Sequence, residues 1–381
     1  MKIPITKPYF DRSEEKAVLE TLRSGWVTQG PKVAELERLV AEYCGAKYAV
    51  ATTSATTSLF LSLYLMRIGL GDEVIVPSHT FIATANVIIH VGATPIFVDI
   101  DLSTYNIDPD KIEEKFTSKT KAILAVDQVG LPGDLDKISS LAKKYNLMVL
   151  EDSACALGSE YKGKRIGSLS DITVLSFHPR KTITTGEGGM MLTDNGKWAN
   201  RAKILRHQGM GVSDYKRHTA NKVTHEEYPE IGFNFRMSDL QAAVGVEQMK
   251  KFDRFLELRK KIAQRYNQAF KDVELIEIPF IPEGLEPNWQ SYIIRLKRNK
   301  KITRDALMQK LLDNGISTRR GIMSIHLEKP YLKMFGKLDL PNSEEMTNWG
   351  ITLPLYSQMT NREQDYVIAK IKKAIGENGR F

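Results

Sequence analysis

Tyr48-Ala49-Val50-Ala51-Thr52-Thr53-Ser54-Ala55-Thr56-Thr57-Ser58-Leu59 opens the part of the chain that decides the fold. Five strand-forming residues run into a cluster of hydroxyls, and an apolar helical stretch through Leu59, Leu61 and Leu63 follows. The same unit then recurs. Short apolar runs at residues 73–77, 95–100, 122–126 and 147–151 read as strands, and longer amphipathic runs at 80–90, 109–116 and 134–145 read as helices between them. Such βα alternation predicts an α/β fold with a large, open, mostly parallel sheet covered by helices. Ligands of such sheets sit beyond the carboxyl ends of the strands, so chemistry is expected in the residues just after each one.

The pattern changes toward the carboxyl end. Residues 172–177 and 189–193 read as strands flanking a polar, glycine-rich loop, and a long helix is predicted from about 238 to 270. Beyond Pro279, Pro282 and Pro287 a smaller α/β unit is expected, with a strand at 291–296 and helices at 304–314 and 362–374. The division this suggests is a large domain over residues 1–250 and a small carboxyl-terminal domain over 251–381. No internal repeat and no low-complexity tract is visible.

Composition narrows the function. The chain has 381 residues, 42% of them apolar and 26% charged, which excludes disorder as the dominant state. No apolar run approaches the roughly 18 residues of a membrane span, and residues 1–10 lack an apolar signal core, so a soluble, cytoplasmic protein is expected. The two cysteines, Cys44 and Cys155, are far apart and without CxxC spacing, which argues against a disulfide scaffold and against a metal site. The formal charge is +8, but the lysines fall in scattered pairs among acidic neighbours, the pattern of solvated helix faces. Nucleic acid is therefore not expected as a partner, whereas an anionic small molecule is compatible with that charge.

Three segments carry candidate chemistry. The turn around Ser54, Ala55 and Thr56 stands at a helix start, where unpaired N–H groups and hydroxyls suit a phosphate; a plain helix cap by Ser54 is the alternative. There is no GxxxxGK[ST] and no GxGxxG. Glu151-Asp152-Ser153 ends a very apolar strand, and a carboxylate there can hold a metal, act as a base or pair with a protonated ring nitrogen; it can also merely cap a turn. Ser176-Phe177-His178-Pro179-Arg180-Lys181 leads into the turn Thr184-Thr185-Gly186-Glu187-Gly188-Gly189. A lysine beside other cations or out of water becomes a nucleophile for carbonyls, although by residue type alone it reads as a surface group. A phosphate-holding helix start, a strand-end aspartate and a loop lysine are together what pyridoxal 5'-phosphate requires.

At these blocks the sequence resembles the pyridoxal-phosphate-dependent sugar aminotransferases of the DegT/DnrJ/EryC1/StrS family. The likeness spans nearly the whole chain. It includes Ser24-Gly25-Trp26-Val27-Thr28-Gln29-Gly30-Pro31, Gly71-Asp72-Glu73-Val74-Ile75-Val76-Pro77-Ser78 and Thr80-Phe81-Ile82-Ala83-Thr84-Ala85-Asn86. It continues through Glu151-Asp152, Ser176-Phe177-His178 with Lys181, Gly186-Glu187-Gly188-Gly189 and Gly232-Phe233-Asn234-Phe235-Arg236-Met237-Ser238-Asp239.

The resemblance implies an aspartate-aminotransferase-like fold (fold type I of the pyridoxal-phosphate enzymes) working as a homodimer. By position, Lys181 is the Schiff-base lysine and proton shuttle, Asp152 the partner of the pyridine nitrogen, and Phe81 the aromatic stacked on the ring. Ser54, Ala55, Thr56 and Ser176 match the phosphate cradle, and Asn234 matches a residue lent by the neighbouring subunit. Thr28, His207, Arg236, Arg319, Arg320 and His326 fall in blocks expected near the substrate. Two positions depart from the family pattern: Ala55 stands where glycine is common, and Cys155 where Gln or His contacts the phenolic oxygen of the cofactor. A thiol is a weaker donor than either.

The function implied is transfer of an amino group from glutamate to a keto group of a nucleotide-linked hexose. Residues 182–189 look like those of perosamine-type synthases, which favours a 4-keto-6-deoxy sugar and a role in polysaccharide or O-antigen biosynthesis; a 3-keto sugar is the alternative. A sugar dehydratase of the same fold carries His in place of the lysine, so Lys181 argues against it. A non-catalytic regulator sensing sugar or cofactor would not need Lys181, Asp152 and Ser176 together.

Overall fold

The computed structural model of the chain describes residues 1–212, 214–218, 221–223, 225–299 and 301–376. Its centre is a seven-stranded sheet of β1 (Tyr48–Thr52), β2 (Glu73–Pro77), β3 (Thr94–Val98), β4 (Thr120–Val126), β5 (Met148–Asp152), β6 (Ile172–Ser176) and β7 (Gly189–Thr193). The order across it is β1-β7-β6-β5-β4-β2-β3. β3, β2, β4, β5 and β6 run parallel, while β7 is antiparallel to both β6 and β1. The mostly parallel sheet read from the alternation is present.

These strands are apolar almost throughout because helices cover both faces. The Ala55–Leu65 helix shows the cause: Leu59, Leu61, Leu63 and Leu65 are all buried, in a core cluster shared with Val74, Val76, Leu124 and Leu150. Each such leucine contributes roughly 2 kcal/mol by leaving water. A second cluster on the opposite face packs Leu36, Val40, Leu175, Met190, Val246 and Phe252.

The second, smaller sheet comprises β8 (Ile276–Glu277), β9 (Tyr292–Leu296), β10 (Arg319–Arg320) and β11 (Gly350–Leu353). It has the order β8-β9-β11-β10 and is antiparallel. Its core includes Tyr266, Tyr292, Ile294, Leu307, Ile351, Val367 and Ile371, together with Ile3 from the start of the chain, which bridges to Ile316.

Several expected boundaries shift. The helix expected over 109–116 is two separate 3-10 turns, Pro109–Lys111 and Glu113–Lys115. The helix expected over 80–90 starts only at Ala83, leaving Thr80 and Phe81 in an irregular turn after β2. The long helix over 238–270 is two helices, Asp239–Lys250 and Phe252–Phe270. They meet at Lys251, whose backbone (φ −106°, ψ 2°) leaves the helical range and whose ammonium is 3.0 Å from Asp11 Oδ2. The helices Arg12–Arg23 and Pro31–Cys44 were not anticipated, although their ends carry readable signals: an Asp11–Glu14 capping box, and Pro31 with a left-handed Gly45.

Candidate active site

β5, β6 and the start of the Ala55–Leu65 helix converge on one cavity of about 320 Å³, within the usual range for small-molecule sites. Its lining includes Ser54, Ala55, Thr56, Phe81, Asp152, Cys155, Ser176 and Lys181, every cofactor-site residue expected from the sequence except Asn234. They come from four separate chain segments.

Ser54 caps the helix and also lines the cavity, so the two readings of this turn are compatible. Its backbone is extended, its hydroxyl accepts the Thr57 N–H at 3.2 Å, and the residue also lines the cavity. Ala55 and Thr56 open the helix, so their amides belong to the unpaired first turn and carry the positive end of its dipole. Gly189 lets this turn approach β7: a Cβ there would stand 2.3 Å from the Ser54 carbonyl carbon. Ser176, last residue of β6, sits opposite Gly189 in the ladder.

Asp152, last residue of β5, is 6% exposed. Burial pushes its carboxyl above the ordinary range, against the Thr84 hydroxyl at 2.7 Å, the charge of Lys181 and the Ala154 N–H. An ionised Asp152 is thus short of a counter-charge on its cavity side. Phe81 has the opposite fault: an aromatic ring 60% exposed, with its surroundings open to the cavity. A protonated, planar, phosphorylated heterocycle answers all three deficits, taking charge from Asp152, covering Phe81 and filling the helix start. The residues present fit pyridoxal phosphate.

Lys181 lies in the loop between β6 and β7, with its N–H bonded to the His178 carbonyl at 2.8 Å and its Nζ 3.0 Å from Cys155 Sγ. His178, Arg180, Glu187, Arg319 and Arg320 complete a largely cationic wall. The sequence reading missed Thr84 as the partner of Asp152, and Gln128 and Gln290 as lining residues. Thr84 stood in a quoted block without a role, while nothing local to Gln290 marks it, because it reaches the site only through the packing of β9.

The remaining expected residues lie outside this cavity's lining. Asn234 is exposed, on a segment held beside the cradle by the Thr53 N–H to Phe235 carbonyl bond of 2.9 Å. Thr28 is exposed and uses its carbonyl to accept from Asp239 N–H. His207 is buried, with Nδ1 2.7 Å from Arg236 Nη1, and burial lowers its proton affinity. His326 also lies outside the lining of this chain's cavity. It is 1% exposed, its Nδ1 lies 2.6 Å from the Ser78 hydroxyl and its Nε2 3.4 Å from Glu344, so it ties the two sheets together.

A mostly parallel sheet whose strand ends present a helix start, a buried aspartate and a loop lysine to one cavity defines a pyridoxal-phosphate enzyme of fold type I. The relatives narrow this further. The model of the DegT/DnrJ/EryC1/StrS aminotransferase family matches residues 8–372, and the chain belongs to that family. It is 40% identical over 379 residues to the uncharacterized protein MJ1066 of Methanocaldococcus jannaschii, covering 99% of this chain and 98% of that one. It is 38% identical over 377 residues to the spore coat polysaccharide biosynthesis protein SpsC of Bacillus subtilis, covering 98% and 97%. Among solved structures, the PLP-form of Spr1654 from Streptococcus pneumoniae, assigned as a sugar aminotransferase, superposes with a TM-score of 0.90 at 32% identity, covering 98% and 99%. The protein is a pyridoxal-phosphate-dependent sugar aminotransferase. Bound pyridoxal phosphate supplies the electron sink that lets an amino group move between two carbon skeletons.

Proposed function

We propose that the protein moves the amino group of glutamate onto the keto carbon of a nucleotide-linked 4-keto-6-deoxyhexose. The observation that carries this reading is the charge of the cavity wall: Lys181, Arg180, Arg319 and Arg320 face Asp152 and Glu187. A site so cationic suits substrates bearing carboxylates and a diphosphate, and no P-loop is needed when arginine forks pair with the phosphate oxygens. In this reading Lys181 holds the cofactor and moves the proton, Asp152 keeps the ring nitrogen charged, and the first turn at Ser54–Thr56 with Ser176 holds the phosphate.

In this reading the working unit is a homodimer: Asn234 is exposed and outside its own chain's cavity, which suits a residue that serves a partner's site. Among the described residues no helix is long and apolar enough to cross a membrane. Both cysteines are free, which suits the reducing cytoplasm.

The test is amino transfer from glutamate by the purified protein to a panel of 3-keto and 4-keto nucleotide sugars. Preference for the 4-keto isomers supports the reading. Preference for a 3-keto sugar overturns the position of amination, and no transfer to any member overturns the acceptor class.

A further inference from the structure

The cavity wall gathers its positive charge from two separate parts of the chain. Arg180 comes from the loop after β6 and Arg319 from β10 of the small sheet, and both line the cavity with Lys181. Arg320 is paired with Glu328 at 3.2 Å, but no ion pair among the described residues includes Arg180 or Arg319. The Arg319 charge is disfavoured by partial burial and then by Arg180 and Arg320. His178 registers the same crowding: burial lowers its proton affinity, Glu187 opposes, and Arg180, Lys181 and Arg319 each add repulsion. The segment is fixed rather than loose. The Arg180 N–H donates to His178 Nδ1 at 3.2 Å, and Gln290 Nε2 donates to the Arg180 carbonyl at 3.0 Å.

We infer that Arg180 and Arg319, one from each sheet, form the carboxylate subsite for the amino donor and select a dicarboxylic amino acid. This deepens the function proposed above and rests on it for the donor's place in the reaction. Covalent geometry decides between carboxylate and diphosphate. The α-carboxylate of an amino acid is two bonds from the nitrogen that must arrive where Lys181 acts, and Arg180 is the residue next to Lys181. A diphosphate on C1 of a hexose reacting at C4 lies across the sugar ring from that point. One guanidinium meets the α-carboxylate and the other the side-chain carboxylate, each through its paired N–H donors.

The test uses the holoenzyme and a probe that cannot react. Calorimetric titration with glutarate, with butyrate as the monocarboxylate control, is compared between the wild type, Arg180→Gln and Arg319→Gln, each checked for native circular dichroism. The expected result is tighter binding of glutarate than butyrate in the wild type. Each variant should weaken glutarate by roughly tenfold or more, the loss of a charge-assisted hydrogen bond, and should raise the KM for glutamate far more than it lowers kcat. A nucleoside diphosphate titrated into the same proteins should bind nearly as before. Unchanged glutarate binding in both variants overturns the inference, as does a loss that falls on the nucleoside diphosphate instead. Loss of glutarate binding in the variants of an enzyme that aminates no nucleotide sugar supports this subsite and sinks only the proposed acceptor.

Discussion

Lys181 Nζ lies 3.0 Å from Cys155 Sγ. The two come from different loops, after β6 and after β5, and the cysteine is held from behind by Asn288, whose Nδ2 donates to the Cys155 carbonyl at 2.7 Å. The thiol therefore stands beside the amine proposed to carry the cofactor, at a position where the family resemblance implies Gln or His. It is a small, soft, weakly bonding group in a place suited to a firm donor.

Cys155→Gln should retain activity and shift the absorbance of the bound cofactor, because an amide at this place donates a stronger hydrogen bond toward the ring than a thiol does. The measurement is the visible spectrum together with the rate of amino transfer. A variant identical to the wild type in both would show that the cysteine only packs.

Lys181→Ala should abolish turnover while the fold stays intact. The lysine side chain is part-buried and contributes one contact, to a thiol, so its removal leaves the core untouched. No other side chain in the cavity is a primary amine able to hold the cofactor covalently. The check is transfer rate beside circular dichroism, and turnover near the wild-type rate would remove Lys181 from the mechanism.

The sheet and the cofactor side of the site were legible because local patterning sets both. Strand runs of five to seven residues read directly as β2, β4 and β6, and the cavity lies at the ends of the strands. The break at Lys251 was not legible, since helical propensity continues through it and the interruption coincides with ion pairing to Asp11 and Glu14 far away in sequence. The same limit explains His326. The family resemblance puts its block near the substrate, while its hydrogen bond to Ser78 joins residues 248 apart in sequence. Arg319 and Arg320 both line the cavity, whereas the surroundings that distinguish them, Glu328 beside Arg320 and Arg180 near Arg319, are set by packing that no local pattern reveals.

Three buried carboxyls at the ends of β4 and β5 should make the cofactor-free protein lose stability as pH rises above the ordinary carboxylate range. Burial raises Asp127, Glu151 and Asp152 above the ordinary carboxylate range, and the charge of Glu151 adds to the effect on Asp127. The groups facing them are the Ser153 and Thr173 hydroxyls, Thr84, Lys181 and the buried Cys44 thiol, itself pushed up to about 12 by burial. A carboxyl whose proton is held more tightly in the folded state stabilises the fold below its unfolded value. That contribution is lost as pH rises through the folded value. Melting temperature should thus fall as pH climbs above about 4, and Glu151→Gln, which cannot ionise, should flatten the fall. An equally steep profile in the variant would count against this assignment.

Asn234 should act in the partner's site. The measurement mixes inactive Lys181→Ala with inactive Asn234→Ala subunits under conditions where exchange is demonstrated. Each hybrid dimer has one intact cavity of two and should recover about half the wild-type activity, so a randomly assembled equimolar mixture, half of it hybrid, should recover about a quarter. No recovery despite exchange would confine Asn234 to its own subunit.

Arg320→Ala should raise the KM for the nucleotide sugar while leaving the glutamate half-reaction nearly unchanged. Its partner Glu328 is not among the cavity-lining residues, and the pair is solvent-accessible, with 46% and 35% of the two side chains exposed. Surface pairs of this kind are worth little, on the order of 0–1 kcal/mol, so the guanidinium can exchange a carboxylate for a diphosphate at small cost. Once the sugar is bound, two N–H donors facing phosphate oxygens contribute far more than the pair they replace. Removing them costs binding that is common to ground and transition states, so KM should rise by roughly tenfold with kcat preserved. Both half-reactions followed separately by stopped-flow absorbance distinguish the cases. Equal damage to the two would move Arg320 into the carboxylate subsite with Arg180 and Arg319, and no damage to either would return it to an ordinary surface pair with Glu328.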